Sequence, residues 1–223
     1  MECTIVNMYD LKETIAAELF EGKTYPWEVL PEIGDFILKL GPTLDPSIYE
    51  KRGEDIWVAK DVKIYPTATL TGPLIIDEGT EVRPGAFIRG KAIIGKNCVI
   101  GNSTEIKNDV IFNNVQVPHY NYVGDSVLGF HSHMGAGSIT SNVKSDKTLV
   151  VVKDRNGEEI KTGYKKFGAM LGDYVEVGCN SVLNPGTVIG AHSNVYPLSM
   201  VRGVIPANSI VKNRASQEIV EKE

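Results

Sequence analysis

Residues 74–112 read LIIDEGTEVRPGAFIRGKAIIGKNCVIGNSTEIKNDVIF, with a bulky apolar residue at every sixth position. The spacing begins before this stretch and runs unbroken through Val58, Ile64, Leu70, Ile76, Val82, Ile88, Ile94, Ile100, Ile106 and Phe112. It returns at Leu128 and Met134, and again at Leu171, Val177, Leu183, Ile189, Val195 and Val201. Helices repeat about every 3.6 residues and strands every two, so a period of six belongs to neither. A short fixed period predicts a solenoid.

Each six-residue unit has room for one short strand and one turn. Three units close a triangular coil of about 18 residues, with the apolar side chains stacked inside it. The 22 glycines are spread through these units, as expected of turn residues. We therefore predict a mainly β protein whose main domain, residues 53–214, is a parallel β-helix built from hexapeptide repeats.

The apolar period fails in two places. Between Phe112 and Leu128 it falls on Pro118 and Gly124, so we expect a distorted coil there. Between Asn142 and Leu171 it disappears. This second gap contains TLVVVKDRNGEEIKTG, in which two strand-like runs flank Asn156-Gly157, a strong signal for a β-hairpin at about residues 149–164. Insertions in solenoids project from one face, which is often the binding face.

Residues 1–52 lack the repeat and predict a short helical appendage. Asp10, with Glu13 three residues later, resembles a helix start, and Gly22 is placed to end that helix. A second helix is expected at Pro26, and a third runs up to the break at Gly41-Pro42. Solenoids need covered ends, so we expect the appendage to hide one end of the main domain. Residues 215–223 are expected to form a C-terminal tail.

Composition narrows the classes of partner. The net charge of −5 argues against nucleic acid and anionic membranes as partners. Three cysteines without metal or redox spacing, and an N-terminus without a signal-peptide pattern, predict a cytoplasmic protein.

Two cationic residues follow inward-facing core positions and should therefore point outward. Arg83 follows Val82, and Lys107 follows Ile106. They are separated by one coil and one further side, which places them on adjacent walls. We expect them to converge only with the help of a neighbouring chain, in a homotrimer. Each alone is more commonly a solvated surface residue.

His119 and Tyr122 lie in the segment where the period fails. An isolated histidine in such a segment is more often a simple loop residue, but an exposed imidazole is also the usual general base for an amine or hydroxyl. Asn142 ends the segment GAGSITSN, whose small residues leave room for a ligand.

Five segments together resemble a known family: VRPGAF, STEIK, PHYNYVGD, MGAGSITSN and KKFGAMLGD. They are similar to the acetyltransferase domain of the bacterial bifunctional N-acetylglucosamine-1-phosphate uridyltransferase and glucosamine-1-phosphate acetyltransferase. The resemblance covers roughly residues 65–214, and the spacing from Arg83 to Asn142 aligns without a gap. It implies a left-handed β-helix and N-acetylation of an amino-sugar phosphate or nucleotide-linked amino-sugar by acetyl-coenzyme A.

The resemblance also implies roles for single residues. His119 matches the general base, and Asn142 and Tyr122 complete the expected catalytic group. The residues expected to bind the sugar phosphate are Arg83, Lys107, Tyr122, Asn142 and Lys166, with His133 where the family has an asparagine. The residues expected along coenzyme A are Ala136, Cys179, Pro197 and Arg214. No metal ligand is implied.

Two alternatives stay open. One is a protein that binds a sugar phosphate or acts as a scaffold without catalysis. The other is a metal lyase of the γ-carbonic-anhydrase kind, for which the candidate ligands are His119, His131, His133 and His192. Nothing in residues 1–60 resembles the uridyltransferase half of the family, so we expect no pyrophosphorylase activity from this chain.

Overall fold

In the computed structural model, which describes residues 2–154 and 156–212, the hexapeptide segments form a coil of parallel strands around one apolar core. Leu74 pairs with Ala92, and Glu81 pairs with Val99, each 18 residues further along the chain. The spacing that we expected for a triangular coil is therefore present. The predicted left-handed parallel β-helix with N-terminal helices and an inserted hairpin is confirmed.

The coil has three walls, which we call A, B and C in the order in which the chain passes through them. Wall A contains the strands Ile56–Ala59, Leu74–Ile76, Ala92–Ile94, Ala169–Leu171, Thr187–Ile189 and Val204–Ile205. Wall B contains Lys63–Ile64, Glu81–Val82, Val99–Asn102, Gln116–His119, His133–Met134, Glu176–Val177, Asn194–Val195 and Ile210–Val211. Wall C contains Thr69–Leu70, Phe87–Ile88, Ile139–Thr140, Val182–Leu183 and Met200–Val201. Two longer strands, Glu105–Ile111 and Tyr122–Leu128, each cross from wall C to wall A.

These two long strands explain the first failure of the apolar period. Ile111 pairs with Ile94 and with Leu128, so the core position after Ile106 comes five residues later and not six. The next core positions are Val117 and Val123. The assignment of Phe112 to the core period was wrong, as was the expectation that Pro118 and Gly124 interrupt it. Each long strand passes the edge between walls C and A without a separate turn, which uses one residue fewer.

Wall A is buried on both of its faces. Four of its strands, Leu74–Ile76, Ala92–Ile94, Ala169–Leu171 and Thr187–Ile189, have three consecutive buried residues, whereas strands of walls B and C more often alternate. Ile75, Ile93, Val110 and Met170 point outward by strand alternation, yet all four are fully buried. The outer face of this wall must therefore be covered by other parts of the chain.

The N-terminal segment provides much of that cover. Its helix Ile33–Leu40 packs against the strands Ala92–Ile94 and Glu105–Ile111. Further along, the rings of Trp27 and Phe167 lie 5.6 Å apart. These helical elements lie along a side wall and not over one end of the coil, where we had expected them. The first strand of the chain, Tyr49–Gly53, pairs antiparallel with Ile56–Ala59 at the end of the coil.

The N-terminal segment is also less helical than expected. The helix predicted from Asp10 to Gly22 is replaced by two 3₁₀ turns, Leu11–Glu13 and Ala17–Phe20. Asp10 accepts a hydrogen bond from the Lys12 N–H, and Thr14 accepts one from the Ala16 N–H. Such local side-chain bonds compete with a continuous helix. The remaining elements are Ile5–Met8, Pro26–Val29 and Gly41–Thr43. None of the helices described here has the length and apolar character needed to cross a membrane.

Asp173 joins the N-terminal segment to the coil. Its carboxylate accepts hydrogen bonds from the backbone N–H groups of Asp10 and Phe130, both at 2.8 Å. Burial raises the pKa of Asp173 from 3.8 to about 6, because the cost of desolvation outweighs these two bonds. The folded protein therefore holds this proton more tightly than the unfolded chain does.

This shift predicts a pH-dependent stability. The contribution of Asp173 is fully present below its ordinary pKa of 3.8 and is lost as the pH rises through about 6. We expect Asp173→Asn to remove this part of the slope when the free energy of unfolding in urea is measured from about pH 4 to pH 7. An unchanged slope in the variant would contradict the assignment.

The insert leaves wall C after Thr140 and returns to wall A at Ala169. Its strands Val151–Lys153 and Glu159–Lys161 pair antiparallel, as predicted. The carboxylate of Asp154 accepts hydrogen bonds from the N–H groups of Asn156 and Glu158 at the tip. At its base an antiparallel bridge joins Val143 to Lys166. The insert is therefore closed by pairing at its base and along its strands.

Candidate functional site

A polar cluster lies at the edge between walls C and A, where the two long strands cross. Its centre is the carboxylate of Asp125, whose side chain is 5% exposed. This carboxylate accepts hydrogen bonds from the Lys107 ammonium at 3.0 and 3.1 Å, from the Asn108 amide at 2.9 Å and from the Asn142 amide at 2.6 Å. Two predicted site residues, Lys107 and Asn142, thus meet on a residue that we did not predict.

Tyr122 joins this cluster through its hydroxyl group, which accepts a hydrogen bond from the Asn142 amide at 3.0 Å. Its ring lies over Gly124, where a Cβ atom would come within 2.5 Å of the hydroxyl oxygen. A side chain at Gly124 would therefore displace the tyrosine. Burial, reinforced by the charge of Asp125, raises the pKa of Tyr122. The hydroxyl stays protonated near neutral pH and can donate a hydrogen bond to a ligand.

Asp109 supports the cluster from inside the wall. Its carboxylate accepts hydrogen bonds from the backbone N–H groups of Lys107 and Ser126, both at 2.8 Å. Complete burial raises the pKa of Asp109 well above its ordinary range, and the nearby charge of Asp125 adds to the effect. The side chain holds the backbone of both long strands where they turn the edge.

Lys166 reaches the same region through the base of the insert. It pairs with Val143, and the N–H of the following Phe167 donates to the carbonyl oxygen of Asn142 at 2.9 Å. The side chain of Lys166 is exposed. Of the residues expected to bind the sugar phosphate, Lys107, Tyr122, Asn142 and Lys166 are therefore neighbours in one chain.

The role of Asp125 can be tested by replacing it with asparagine. This change keeps the shape but removes the charge that neutralises Lys107, and its new N–H groups face other donors. We expect the free energy of unfolding to fall by about 2–3 kcal/mol, less than for a fully buried pair because Lys107 is partly exposed. The control is Glu105→Gln, which breaks the exposed pair with Arg89 and should cost less than about 1 kcal/mol. Equal losses in urea denaturation would contradict a central role for Asp125.

A second group of predicted residues lines the edge between walls B and C. His119, Ala136, Cys179 and Pro197 occupy equivalent positions in successive coils, as the register of wall B requires. The residue after each position bonds back to the coil before it: Gly137 N–H to His119 O at 3.0 Å, Asn180 N–H to Ala136 O at 2.8 Å and Leu198 N–H to Cys179 O at 2.9 Å. The predicted base and three predicted coenzyme A contacts thus form one column.

The imidazole of His119 is exposed and has no hydrogen-bond partner among the described residues. Its backbone, by contrast, is fixed, because the His119 N–H donates to the Asn121 carboxamide oxygen at 3.0 Å. Asn121 in turn donates to the carbonyl oxygens of Gly135 and Ser138. The backbone at His119 is therefore fixed, and both ring nitrogens of the exposed side chain are available.

The other predicted site residues lie apart from both groups. Arg83 is on wall B, with its Nε 3.5 Å from the Glu81 carboxylate. It is therefore on a different wall from Lys107, as expected. His133 is also on wall B, where its Nδ1 lies 2.8 Å from the carboxylate of Glu176. Arg214 lies outside the described residues.

The histidines do not form a metal site within one chain. Within residues 2–154 and 156–212, no three histidine, cysteine, aspartate or glutamate side chains are grouped to hold an ion. His131 and His192 both stack on Tyr174, at 5.5 and 4.8 Å between ring centres, far from the edge that carries His119. The metal-lyase alternative has no described ligand set in this chain.

The parallel coil, its hexapeptide period and its edge columns define a hexapeptide-repeat β-helix protein. Within that class, residues 70–220 match the family described as the GMPPB C-terminal domain, and the chain belongs to that family. The resemblance seen in the sequence is confirmed by the relatives that the chain matches.

Two curated relatives illustrate the match. The chain is 32% identical over 216 residues to "Bifunctional protein GlmU" of Methanococcus maripaludis strain S2, covering 89% of this chain and 48% of the relative. It is 35% identical over 150 residues to "Bifunctional sugar-1-phosphate nucleotidylyltransferase/acetyltransferase" of Sulfurisphaera tokodaii, covering 59% and 37%. The chain thus spans about half the length, or less, of these relatives. Among solved structures, a hexapeptide transferase family protein from Anaplasma phagocytophilum matches with a TM-score of 0.44 and 20% identity, over 59% of this chain and 67% of that one.

Proposed function

We propose that this chain is an acetyl-coenzyme A-dependent N-acetyltransferase that acts on an amino-sugar phosphate or a nucleotide-linked amino-sugar. The observation that carries the proposal is the free imidazole of His119 at one end of the column formed by Ala136, Cys179 and Pro197. A base at the end of an extended column of surface positions suits acyl transfer from a long thioester. The names of the curated relatives, which include an acetyltransferase, point the same way.

In the proposed reaction, the sugar amine attacks the thioester carbonyl carbon. A C–N bond forms, the C–S bond breaks, and coenzyme A leaves as its thiol. His119 accepts the proton that the amine loses and returns one to the departing sulfur. In this proposal the backbone N–H of Ala136 stabilises the oxyanion of the tetrahedral intermediate. The bonds and protons of this reaction balance without a metal ion.

The acceptor side of the proposed site is the cluster of Lys107, Tyr122, Asn142 and Lys166. It lies at one edge of wall C, whereas His119 lies at the other, and Arg83 lies on wall B. A homotrimer, in which neighbouring coils face each other, would bring such edges together at subunit interfaces. We propose this assembly, and a cytoplasmic location, as parts of the same function.

The test is release of coenzyme A from acetyl-coenzyme A with a panel of amino-sugars, their 1-phosphates and their nucleotide-linked forms. Turnover with a phosphorylated or nucleotide-linked amino-sugar, and not with the free sugar, is the expected result. Absence of turnover with every acceptor, together with absence of acetyl-coenzyme A binding by calorimetry, would reject the proposal.

One observation favours a non-catalytic alternative. Lys107, expected to bind phosphate, is already neutralised by Asp125 at 3.0 Å. A protein that keeps the fold and binds a sugar phosphate without reaction would bind both ligands in calorimetry but release no coenzyme A. The same assay therefore separates the two functions.

A further inference from the structure

A groove of about 680 Å³ lies between the insert and wall C. It contains the basic side chains Lys144, Lys153 and Arg202, together with Val143, Leu149 and Asn184. The volume is within the range of small-molecule sites, about 300–1,000 Å³. Neither the column at His119 nor the cluster at Asp125 accounts for this groove.

The groove continues the acceptor side of the proposed site. Tyr122 pairs with Ile139, which pairs with Val182, which pairs with Met200. Arg202 therefore lies three strands from Tyr122 along the coil, about 14 Å at the usual strand spacing. The groove begins at Ser141 and Val143, the residues on either side of Asn142. A ligand whose sugar contacts Asn142 can thus extend directly into it.

The charge of the groove suits an anion. Three basic side chains face two carboxylates, those of Asp146 and Glu159, in a chain whose net charge is −5. Lys144 and Lys153 pair with these carboxylates. Arg202 has no carboxylate partner in the described part of the chain, and its guanidinium lies 3.4 Å from the amide oxygen of Asn184. The groove beside the N-terminal turns, in contrast, is lined by four carboxylates and two lysines.

The groove also presents apolar surface beside these charges. Val143 is 42% exposed and Leu149 is 49% exposed, although both are apolar. A free phosphate needs only the cations, whereas a nucleoside diphosphate offers an anionic diphosphate and the flat aromatic face of its base. Guanidinium groups bind phosphate oxygens in a fixed two-point geometry. The combination therefore fits a nucleoside diphosphate better than a single phosphate.

We propose that this groove binds the nucleoside diphosphate part of the acceptor, so that the substrate is a nucleotide-linked amino-sugar and not a sugar 1-phosphate. The inference rests on the proposed function for the position of the sugar. The insert supplies Lys144 and Lys153, and the coil supplies Arg202. Coenzyme A also contains a nucleoside diphosphate. The test must therefore distinguish binding of the acceptor's nucleotide from binding of coenzyme A.

The test compares Arg202→Ala and Lys153→Ala with Arg52→Ala, a control at the opposite end of the coil where an exposed arginine pairs with Glu50. UDP, GDP, coenzyme A and glucosamine 1-phosphate are titrated into each protein by calorimetry. We expect the wild-type chain to bind UDP or GDP, and Arg202→Ala to weaken that binding by about tenfold or more. Binding of coenzyme A and glucosamine 1-phosphate should stay within about twofold of the wild-type value, as should all binding to the control.

Three results would overturn the inference: no binding of UDP or GDP to the wild-type chain, equal binding by wild type and Arg202→Ala, or a loss confined to coenzyme A. Circular dichroism verifies that each exposed substitution leaves the fold intact. Because the titrations require no turnover, they can fail while acetylation of a sugar phosphate is observed, and they can succeed while no acetylation is observed. The two proposals are therefore tested separately.

Discussion

Replacement of His119 with asparagine is expected to lower kcat for acetyl transfer by about 10²-fold or more, the scale of general-base catalysis. Asparagine is polar and of similar reach, but it cannot accept the proton of the attacking amine. The His119 side chain is exposed and makes no hydrogen bond to the described residues, so stability should change little. Binding of acetyl-coenzyme A should likewise be retained, because the column below His119 is intact.

The matched control is His131→Asn. His131 is also an exposed corner histidine, but it lies at the edge between walls A and B and stacks on Tyr174. Its φ of 59° is compatible with asparagine. We expect this variant to retain nearly full kcat in the coenzyme A release assay. Equal activity of the two variants would remove His119 from the mechanism.

The second large effect is expected on stability, from Phe112→Ala. Phe112 is fully buried although it lies outside the coil, with its ring 5.1 Å from Tyr9 and 5.8 Å from Phe20. Removing the ring should leave a cavity between the coil and the N-terminal segment. Large-to-small substitution of a buried phenylalanine costs about 3–5 kcal/mol. The free energy of unfolding in guanidinium or urea provides the measurement.

Phe87→Ala provides the comparison. Phe87 lies on wall C and is 40% exposed, so its loss should cost less than about 1 kcal/mol. If both variants lose the same free energy, the N-terminal segment does not pack on Phe112 as described. Rapid proteolysis within residues 2–43 of Phe112→Ala, with the coil intact, is expected for a segment that has lost this contact.

The coil could be predicted because its signal is local and repeated. Each inward position lies six residues from the next, and the repetition of this spacing over many coils makes the period easy to recognise. The signal for the hairpin is also local, because Asn156-Gly157 between two strand-like runs is sufficient to predict the turn. Handedness came from the resemblance to a known family and not from the period itself.

The change of phase after Ile106 could not be predicted from the period. Ile111 and Phe112 are both apolar. Phe112 therefore fits the six-residue period, although Ile111 is the residue that faces the core. Which of them faces the core depends on whether the chain turns at the edge or crosses it. The choice is linked to the N-terminal rings that cover Phe112, about a hundred residues earlier in the chain. The failed helix between Asp10 and Gly22 has a local cause, because Asp10 and Thr14 bind neighbouring backbone groups.

The candidate site was found in part. The resemblance assigned Lys107, Tyr122 and Asn142, together with Arg83 and Lys166, to one sugar-phosphate site. The structure brings the first three together and places Arg83 on another wall. Asp125, which connects them, is the last residue of the quoted motif PHYNYVGD, but nothing in its spacing indicated a buried carboxylate. A lysine one coil before it and an asparagine one coil after it, both without a predicted acceptor, would have been the signal for it.

The insert occupies the same edge as the two five-residue steps. That edge takes one residue fewer than the repeat after Ile106 and after Val123, and many more after Thr140, while strands on either side keep their pairing. The coil therefore tolerates a change of chain length at this position without a change of architecture. The insert and the coil are therefore separable in length, and we expect a chain whose residues 144–165 are replaced by those of a relative to keep the same coil.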